Sequence, residues 1–110
     1  MSAPTLEDIF GSGAIQDVST VTIQKSALQA VGLTPSPSND PQALLAAIAL
    51  IAKNSLTETN RSTDMVNRKI TLTYVGQDLV IQSSQNYRRD LFYLALYKTT
   101  TLATIDPDDY

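Results

Sequence analysis

The chain has 110 residues, of which 43% are hydrophobic and 17% are charged, and its formal net charge is −3 at neutral pH. This length suits one domain, and the hydrophobic content excludes global disorder. The absence of histidine and cysteine excludes Ser-His-Asp and Cys-His catalysis and leaves no ordinary ligands for zinc, copper or an iron–sulfur cluster.

Charge and hydropathy patterning also restrict the partners and the location. Nonspecific binding to nucleic acid or to an anionic membrane requires clustered positive charge, but the basic residues are scattered and pair only at 68–69 and 88–89. We therefore expect no nucleic acid and no membrane among the partners. The N-terminus has no secretory-signal pattern, and the longest apolar run, 43–52, is too short to span a membrane. The expected location is the cytoplasm, or a particle assembled there.

The first predicted element lies close to the N-terminus. Leu6, Ile9 and Phe10 have the i, i+3, i+4 spacing of one helical turn, although the same residues could insert into another chain as part of an extended arm. A flexible Gly-Ser-Gly break follows this segment. We therefore predict an N-terminal arm over residues 1–13.

The next two elements are short. β-Branched residues over 18–23 predict a strand. Residues 27–31 predict a short helix, which Gly32 would close because glycine readily adopts the left-handed conformation at a helix end.

The strongest secondary-structure signal follows a loop rich in proline and serine at 34–40. Asp40 suits the N-cap and Pro41 the first helical position. The Ala- and Leu-rich run behind them predicts a helix from Pro41 to Leu56. Its large apolar residues cannot share one narrow stripe. The helix is thus either enclosed by its own domain or buried along a second face on a partner.

The C-terminal half predicts mainly strands. Residues 56–66 are polar and predict a loop, whereas 69–75 alternate as a strand. Gly76-Gln77 then predicts a type II′ hairpin turn, with 79–83 as the returning strand. Residues 91–99 fit either a strand or a helix, and their interleaved aromatics favour a strand.

These elements together predict an α+β fold. One apolar helix packs on a small antiparallel sheet of about four strands, and residues 14–105 form a single domain. Residues 106–110 form a short acidic C-terminal tail.

Carboxylates are the only candidate acid–base groups, and their placement does not indicate catalysis. Asp40 suits a cap, Asp78 a turn and Asp90 a loop salt bridge, and no two carboxylates are paired on rigid elements as a glycosidase requires. The acidic tail lacks the spacing and central glycine of an EF-hand calcium loop and is typical of a solvated segment. We predict no catalytic, cofactor or metal site.

One stretch has the composition of an interface. Residues 86–90 contain tyrosine and a pair of arginines, and further aromatics follow. Tyrosine and arginine commonly anchor interfaces, although core aromatics beside a solvated arginine pair would give the same pattern. With the N-terminal arm and the last residue, the candidate interface residues are Leu6, Ile9, Phe10, Tyr87, Arg88, Arg89, Tyr93, Tyr97 and Tyr110.

The sequence favours a non-enzymatic structural or assembly subunit that works through protein–protein contacts, either with copies of itself or with a larger scaffold. Its polarity comes mainly from hydroxyl and amide side chains, which cost less to desolvate than charges. This composition resembles that of virion components. The alternative is a small peptide- or partner-binding regulatory module that uses an exposed strand edge. A carboxylate-dependent enzyme has the least support.

Overall fold

The computed structural model describes residues 2–99 and 104–110. Its helices and strands, in chain order, are α1 (Leu6–Phe10), β1 (Ile15–Gln16), β2 (Val21–Thr22), α2 (Lys25–Leu28), a 3₁₀ turn (Gln29–Val31), α3 (Pro41–Ala52), α4 (Glu58–Thr63), β3 (Ile70–Gln82), β4 (Gln85–Leu96) and a second 3₁₀ turn (Pro107–Asp109). Among the described residues, the strands form two antiparallel pairs, β1–β2 and β3–β4.

The mixture of helices and sheets confirms the predicted α+β class. The finer prediction, one apolar helix on a sheet of about four strands, is wrong, because the two strand pairs remain separate and α3 is accompanied by shorter helices. The sequence patterns located segments with strand character but did not indicate which of them share hydrogen bonds. The division into arm, domain and acidic tail stays a prediction.

Local capping explains where the helices begin. Thr5 and Asp8 form a capping box at α1, in which each side chain accepts a hydrogen bond from the backbone N–H of the other. Asp40 accepts from the N–H of Gln42 at the start of α3, and Pro41 occupies the first turn, as predicted. The regular helix ends at Ala52 rather than at the predicted Leu56, because the chain continues in turns.

The segment 56–66 is not the predicted loop, because it contains α4. Thr57 is the N-cap, and its hydroxyl accepts a hydrogen bond from the N–H of Asn60 at 3.0 Å. The Asn60 side chain donates in turn to the carbonyl of Ser55 at 2.8 Å. The polar residues that suggested a loop therefore cap a short helix, which is the other common role of threonine and asparagine.

The core is small and lies where α1 and α2 pack on α3. Its buried hydrophobic residues are Ala14, Leu28, Ala47, Ala52 and Leu56. Three of these five are alanines, so close helix contact rather than large side-chain volume forms much of the core.

β3 and β4 form a long hairpin whose turn is not the predicted one. β3 runs through Gly76 as far as Gln82, so residues 79–83 are not a returning strand, and Ser83-Ser84 make the turn with positive φ at both positions. Gly76, at φ +147°, lies beside an irregularity in register that leaves Val75 without a partner on β4. A bulge and a turn both favour glycine, so the sequence signal was ambiguous.

Candidate interaction surface on the hairpin

The base of the hairpin is fixed to the helical part of the molecule. Arg68, only 6% exposed, donates from Nε to the carbonyl of Ser2 and from Nη1 to the carbonyl of Ser55, both at 3.0 Å. The N–H of Leu72 donates to the carbonyl of Leu56 at 2.8 Å. These bonds hold the base of the hairpin against the segment that joins α3 to α4.

Beyond its base, the hairpin leaves the core. Thr71 is fully buried, whereas every described residue from 81 to 90 is exposed. The molecule measures 46 × 32 × 26 Å along its principal axes, so it is elongated.

One face of the hairpin is largely apolar. Side chains alternate along β4, so Phe92 and Arg88 lie on the same face. Their partners on β3, Tyr74 and Leu79, lie on this face too, although they are five residues apart. The irregularity at Val75 makes this possible, because one extra residue shifts the alternation along β3. The apolar residues of this apolar face are Ile70, Leu72, Tyr74, Leu79, Ile81, Phe92, Leu94 and Leu96.

An aromatic pair lies in the middle of the apolar face. The rings of Tyr74 and Phe92 are 5.3 Å apart in an edge-to-face arrangement. The Tyr74 hydroxyl donates to Asp90 Oδ1 at 2.9 Å. Two effects raise the pKa of Tyr74 above its ordinary value: partial desolvation is the larger, and the hydrogen bond to the Asp90 carboxylate is the second. The phenol therefore stays protonated and fixes the ring against the strand.

A cleft lies between α3 and the apolar face. Its volume is about 700 Å³, and its apolar lining consists of Leu45, Ala46, Ala49 and Leu50 from the helix with Tyr74 and Phe92 from the hairpin. Gln42, Lys53 and Asp90 add polar groups. Leu45 is 69% exposed, so a large apolar side chain of α3 faces solvent beside this α3–hairpin cleft.

Ion pairs cross and flank the outer part of the hairpin. Arg89 holds Asp78 through two hydrogen bonds, from Nε at 2.9 Å and from Nη2 at 2.6 Å, and these bonds lower the pKa of the Asp78 carboxyl. Arg88 lies 3.3 Å from Asp90. Asp90 therefore forms the predicted salt bridge, but its predicted place in a loop and that of Asp78 in a turn are wrong, because both residues lie within strands.

A second concavity of about 560 Å³ lies near the end of β4. The Arg61 guanidinium stacks 3.5 Å from the centre of the Tyr97 ring, and Arg61 Nε is buried without a hydrogen-bond partner in the described part of the chain. Lys98 pairs with Asp109 at the same concavity. Tyr97 thus packs against α4 through a cation–π contact.

The structure brings together only some of the predicted interface residues. Tyr87, Arg89 and Tyr93 share the hairpin face opposite the apolar one, while Arg88 lies on the apolar face. The three N-terminal candidates, Leu6, Ile9 and Phe10, are half-buried in α1, which packs on α3, and Tyr110 is half-buried at the chain end. Their role at an interface stays a prediction.

Sequence reasoning missed three exposed residues around the cleft and the hairpin tip. Leu45, Leu79 and Ile81 are 69%, 75% and 74% exposed. The nearly all-round apolar character of α3 was the available signal for Leu45. For Leu79 and Ile81, the predicted turn at Gly76 placed them on a separate strand and concealed their position at a tip.

Between residues 2–99 and 104–110, no group of three or more acidic residues could hold a metal ion. None of the helices in these ranges is long and apolar enough to cross a membrane.

Comparisons of the chain with protein-family models, with curated proteins and with solved structures returned no match.

Proposed function

We propose that this protein is a non-enzymatic assembly subunit that docks onto other protein chains through its projecting hairpin. The observation that carries this proposal is the solvent-accessible surface area of the chain. A compact protein of 11.9 kDa is expected to expose about 6,000 Å². This chain exposes 8084 Å², which is roughly 2,000 Å² more than that scaling gives.

The distribution of mass agrees with the surface area. A compact chain of this length has a radius of gyration of about 13 Å, whereas this chain has 16.2 Å. The hairpin carries many of the large hydrophobic side chains that remain exposed, including Leu79, Ile81, Tyr87, Tyr93 and Leu94. Apolar surface on this scale is typical of interfaces that are completed by another molecule.

Physical chemistry also disfavours a hairpin that works alone in water. A two-stranded hairpin is marginally stable without further packing. Apart from the bond of Leu72 to Leu56 at the base, no other strand in the described part of the chain covers its outer edges. Docking onto another chain would cover the apolar side chains and give hydrogen-bond partners to the backbone groups along one outer strand. The neutral polar composition lowers the cost of desolvating the surrounding surface. Its similarity to the composition of virion components supports a place in a virus-like particle.

The test is the solution mass, measured by sedimentation or light scattering over a concentration series at two salt levels. We expect a defined assembly that persists at high salt, because apolar contacts are not screened. In a shortened variant, an Asn-Gly turn replaces residues 77–90 and joins Gly76 to its partner Leu91. This variant should fold and remain monomeric. Full-length chains that stay monomeric and bind no isolated particle would contradict the proposal.

The second candidate function is a monomeric peptide-binding module, which the α3–hairpin cleft favours because it is open, apolar and bordered by a free strand. A monomer that binds an extended apolar peptide, with chemical-shift changes confined to the cleft, would support this function over assembly.

A further inference from the structure

We propose that the tip of the hairpin in one copy occupies the α3–hairpin cleft of a second copy, so that the chains associate head to tail. This inference rests on the proposed assembly function and specifies its partner and its contact. It requires two different surfaces on each copy, both of which the structure presents.

The first surface is the tip. Leu79 and Ile81 are two residues apart on β3, so both side chains project from the apolar face. They are 75% and 74% exposed. The bonded pair Asp78–Arg89 lies on the opposite face. The tip therefore presents a small aliphatic patch on one face, while the Asp78–Arg89 pair joins the two strands on the opposite face.

The second surface is the cleft, whose spacing fits that patch. Residues two apart on a strand are separated by about 6.6 Å. Leu45 and Ala49, four apart on α3, are separated by about 6 Å along the helix. The small side chains of Ala46 and Ala49 leave room within the 700 Å³ for two aliphatic groups.

The charges beside the two surfaces are already paired within one chain. Arg88 is directly opposite Leu79 and lies 3.3 Å from Asp90, which contributes a carboxylate to the cleft lining. The tip therefore carries no unpaired charge into the cleft, and the contact depends on the aliphatic side chains of Leu79 and Ile81.

The exposed area indicates two contacts per copy. A standard interface covers about 800 Å² on each partner, whereas the area beyond that of a compact monomer is roughly 2,000 Å². One isologous contact would leave more than half of this excess in water. A head-to-tail contact uses the tip and the cleft of every copy, and such contacts close into rings or extend into filaments. A reciprocal two-fold dimer would use the same two surfaces but would stop at two chains, so a double cysteine variant that gives only dimers would overturn the head-to-tail arrangement.

Site-specific cross-linking tests the contact directly, because the chain has no cysteine of its own. Leu79→Cys and Ala46→Cys each place one thiol at an exposed position. With a short bismaleimide, we expect cross-linked dimers when the two variants are mixed and none when either is treated alone. The double variant should give a ladder of covalent oligomers.

Complementary variants give an independent readout. Leu79→Ser with Ile81→Ser should weaken association at least tenfold without changing the fold, since both side chains are exposed. Ala46→Arg should block the cleft. A mixture of the two defective chains retains one intact tip and one intact cleft, so it should form a discrete heterodimer. Val18→Ser removes another fully exposed apolar side chain outside both surfaces and should leave assembly unchanged.

The outcomes separate this inference from the proposed function. Assembly in which Leu79→Cys cross-links only to itself would show tip-to-tip contact and overturn the head-to-tail arrangement, while the assembly function would stand. Assembly without any cross-link between Leu79→Cys and Ala46→Cys chains would also overturn the head-to-tail arrangement and leave the assembly function standing. Chains that remain monomeric and bind only a different protein would overturn the inference as well.

Discussion

Removal of the Arg68 side chain should destabilise the whole molecule, because this side chain connects the base of the hairpin to two distant segments. Its guanidinium donates to the carbonyls of Ser2 and Ser55. The side chain is 6% exposed, so solvent cannot replace these contacts without entering the site.

The magnitude follows from the two shorter side-chain bonds, since the third, from Nη1 to Ser55 Oγ, is 3.4 Å long. A hydrogen bond that involves a charged group contributes about 1.5–3 kcal/mol. In the variant, the Ser55 carbonyl still accepts a hydrogen bond from the Asn60 side chain, and the exposed Ser2 carbonyl can accept one from water. Leaving these two carbonyls without Arg68 therefore adds little further cost. Desolvation of the guanidinium offsets part of the gain. We therefore expect Arg68→Ala to lower the free energy of unfolding by about 2–4 kcal/mol.

Urea denaturation measures this loss as a lower midpoint with an unchanged slope. Arg68→Met retains most of the side-chain volume, so it should cost less than Arg68→Ala and separate packing from hydrogen bonding. Arg88→Ala is the matched control, because that arginine is exposed and makes only a surface ion pair. It should change the free energy by no more than about 0.5 kcal/mol. Equal effects at positions 68 and 88 would refute the reasoning.

Three further predictions concern the core and the hairpin. Leu28→Ala removes a side chain that is 1% exposed and should lower the free energy of unfolding by about 2–5 kcal/mol; calorimetry that shows no lower Tm would contradict this. Ser83→Asn with Ser84→Gly places residues suited to positive φ in the turn and should raise stability by up to about 1 kcal/mol, whereas an unchanged urea midpoint would count against strain at these serines. Because the Asp78 pKa is lowered in the folded chain, the Asp78–Arg89 contribution should persist above the ordinary carboxyl pKa and disappear as the pH falls through the lowered value. An ordinary Asp78 pKa by NMR titration, or the same acid sensitivity in Asp78→Asn, would exclude this link.

Several local features could be predicted from the sequence because they depend on neighbouring residues. Asp40 and Pro41 mark the start of α3 in both the prediction and the structure, and Gly32 ends the preceding turn in the left-handed conformation. Capping and left-handed φ values are determined within a few residues of the chain. Alternation correctly predicted strand character over 70–75, and the interleaved aromatics correctly predicted it over 91–96, although the predicted strand 91–99 extends past the end of β4 at Leu96.

Other features depended on contacts that local patterns do not encode. Gly76 fits a turn or a bulge, and only the register of β3 against β4 distinguishes them. The polar segment around Thr57 fits a loop or a capped helix, and the bond from Asn60 to Ser55 favours the helix. The candidate surface could be predicted only in part. Of the predicted tyrosines and arginines on the hairpin, Arg88 alone lies on the apolar face, and the tip residues Leu79 and Ile81 were missed.

The sequence by itself determined the α+β class and the start of α3, because N-capping and helix or strand character follow from backbone preferences over a few residues. It also established the absence of histidine and cysteine chemistry. Only the tertiary structure decided that the strands form two separate pairs, that a long hairpin leaves the core, and that an apolar cleft lies between this hairpin and α3. These features result from strand pairing and packing between distant residues, whose energies depend on which surfaces meet.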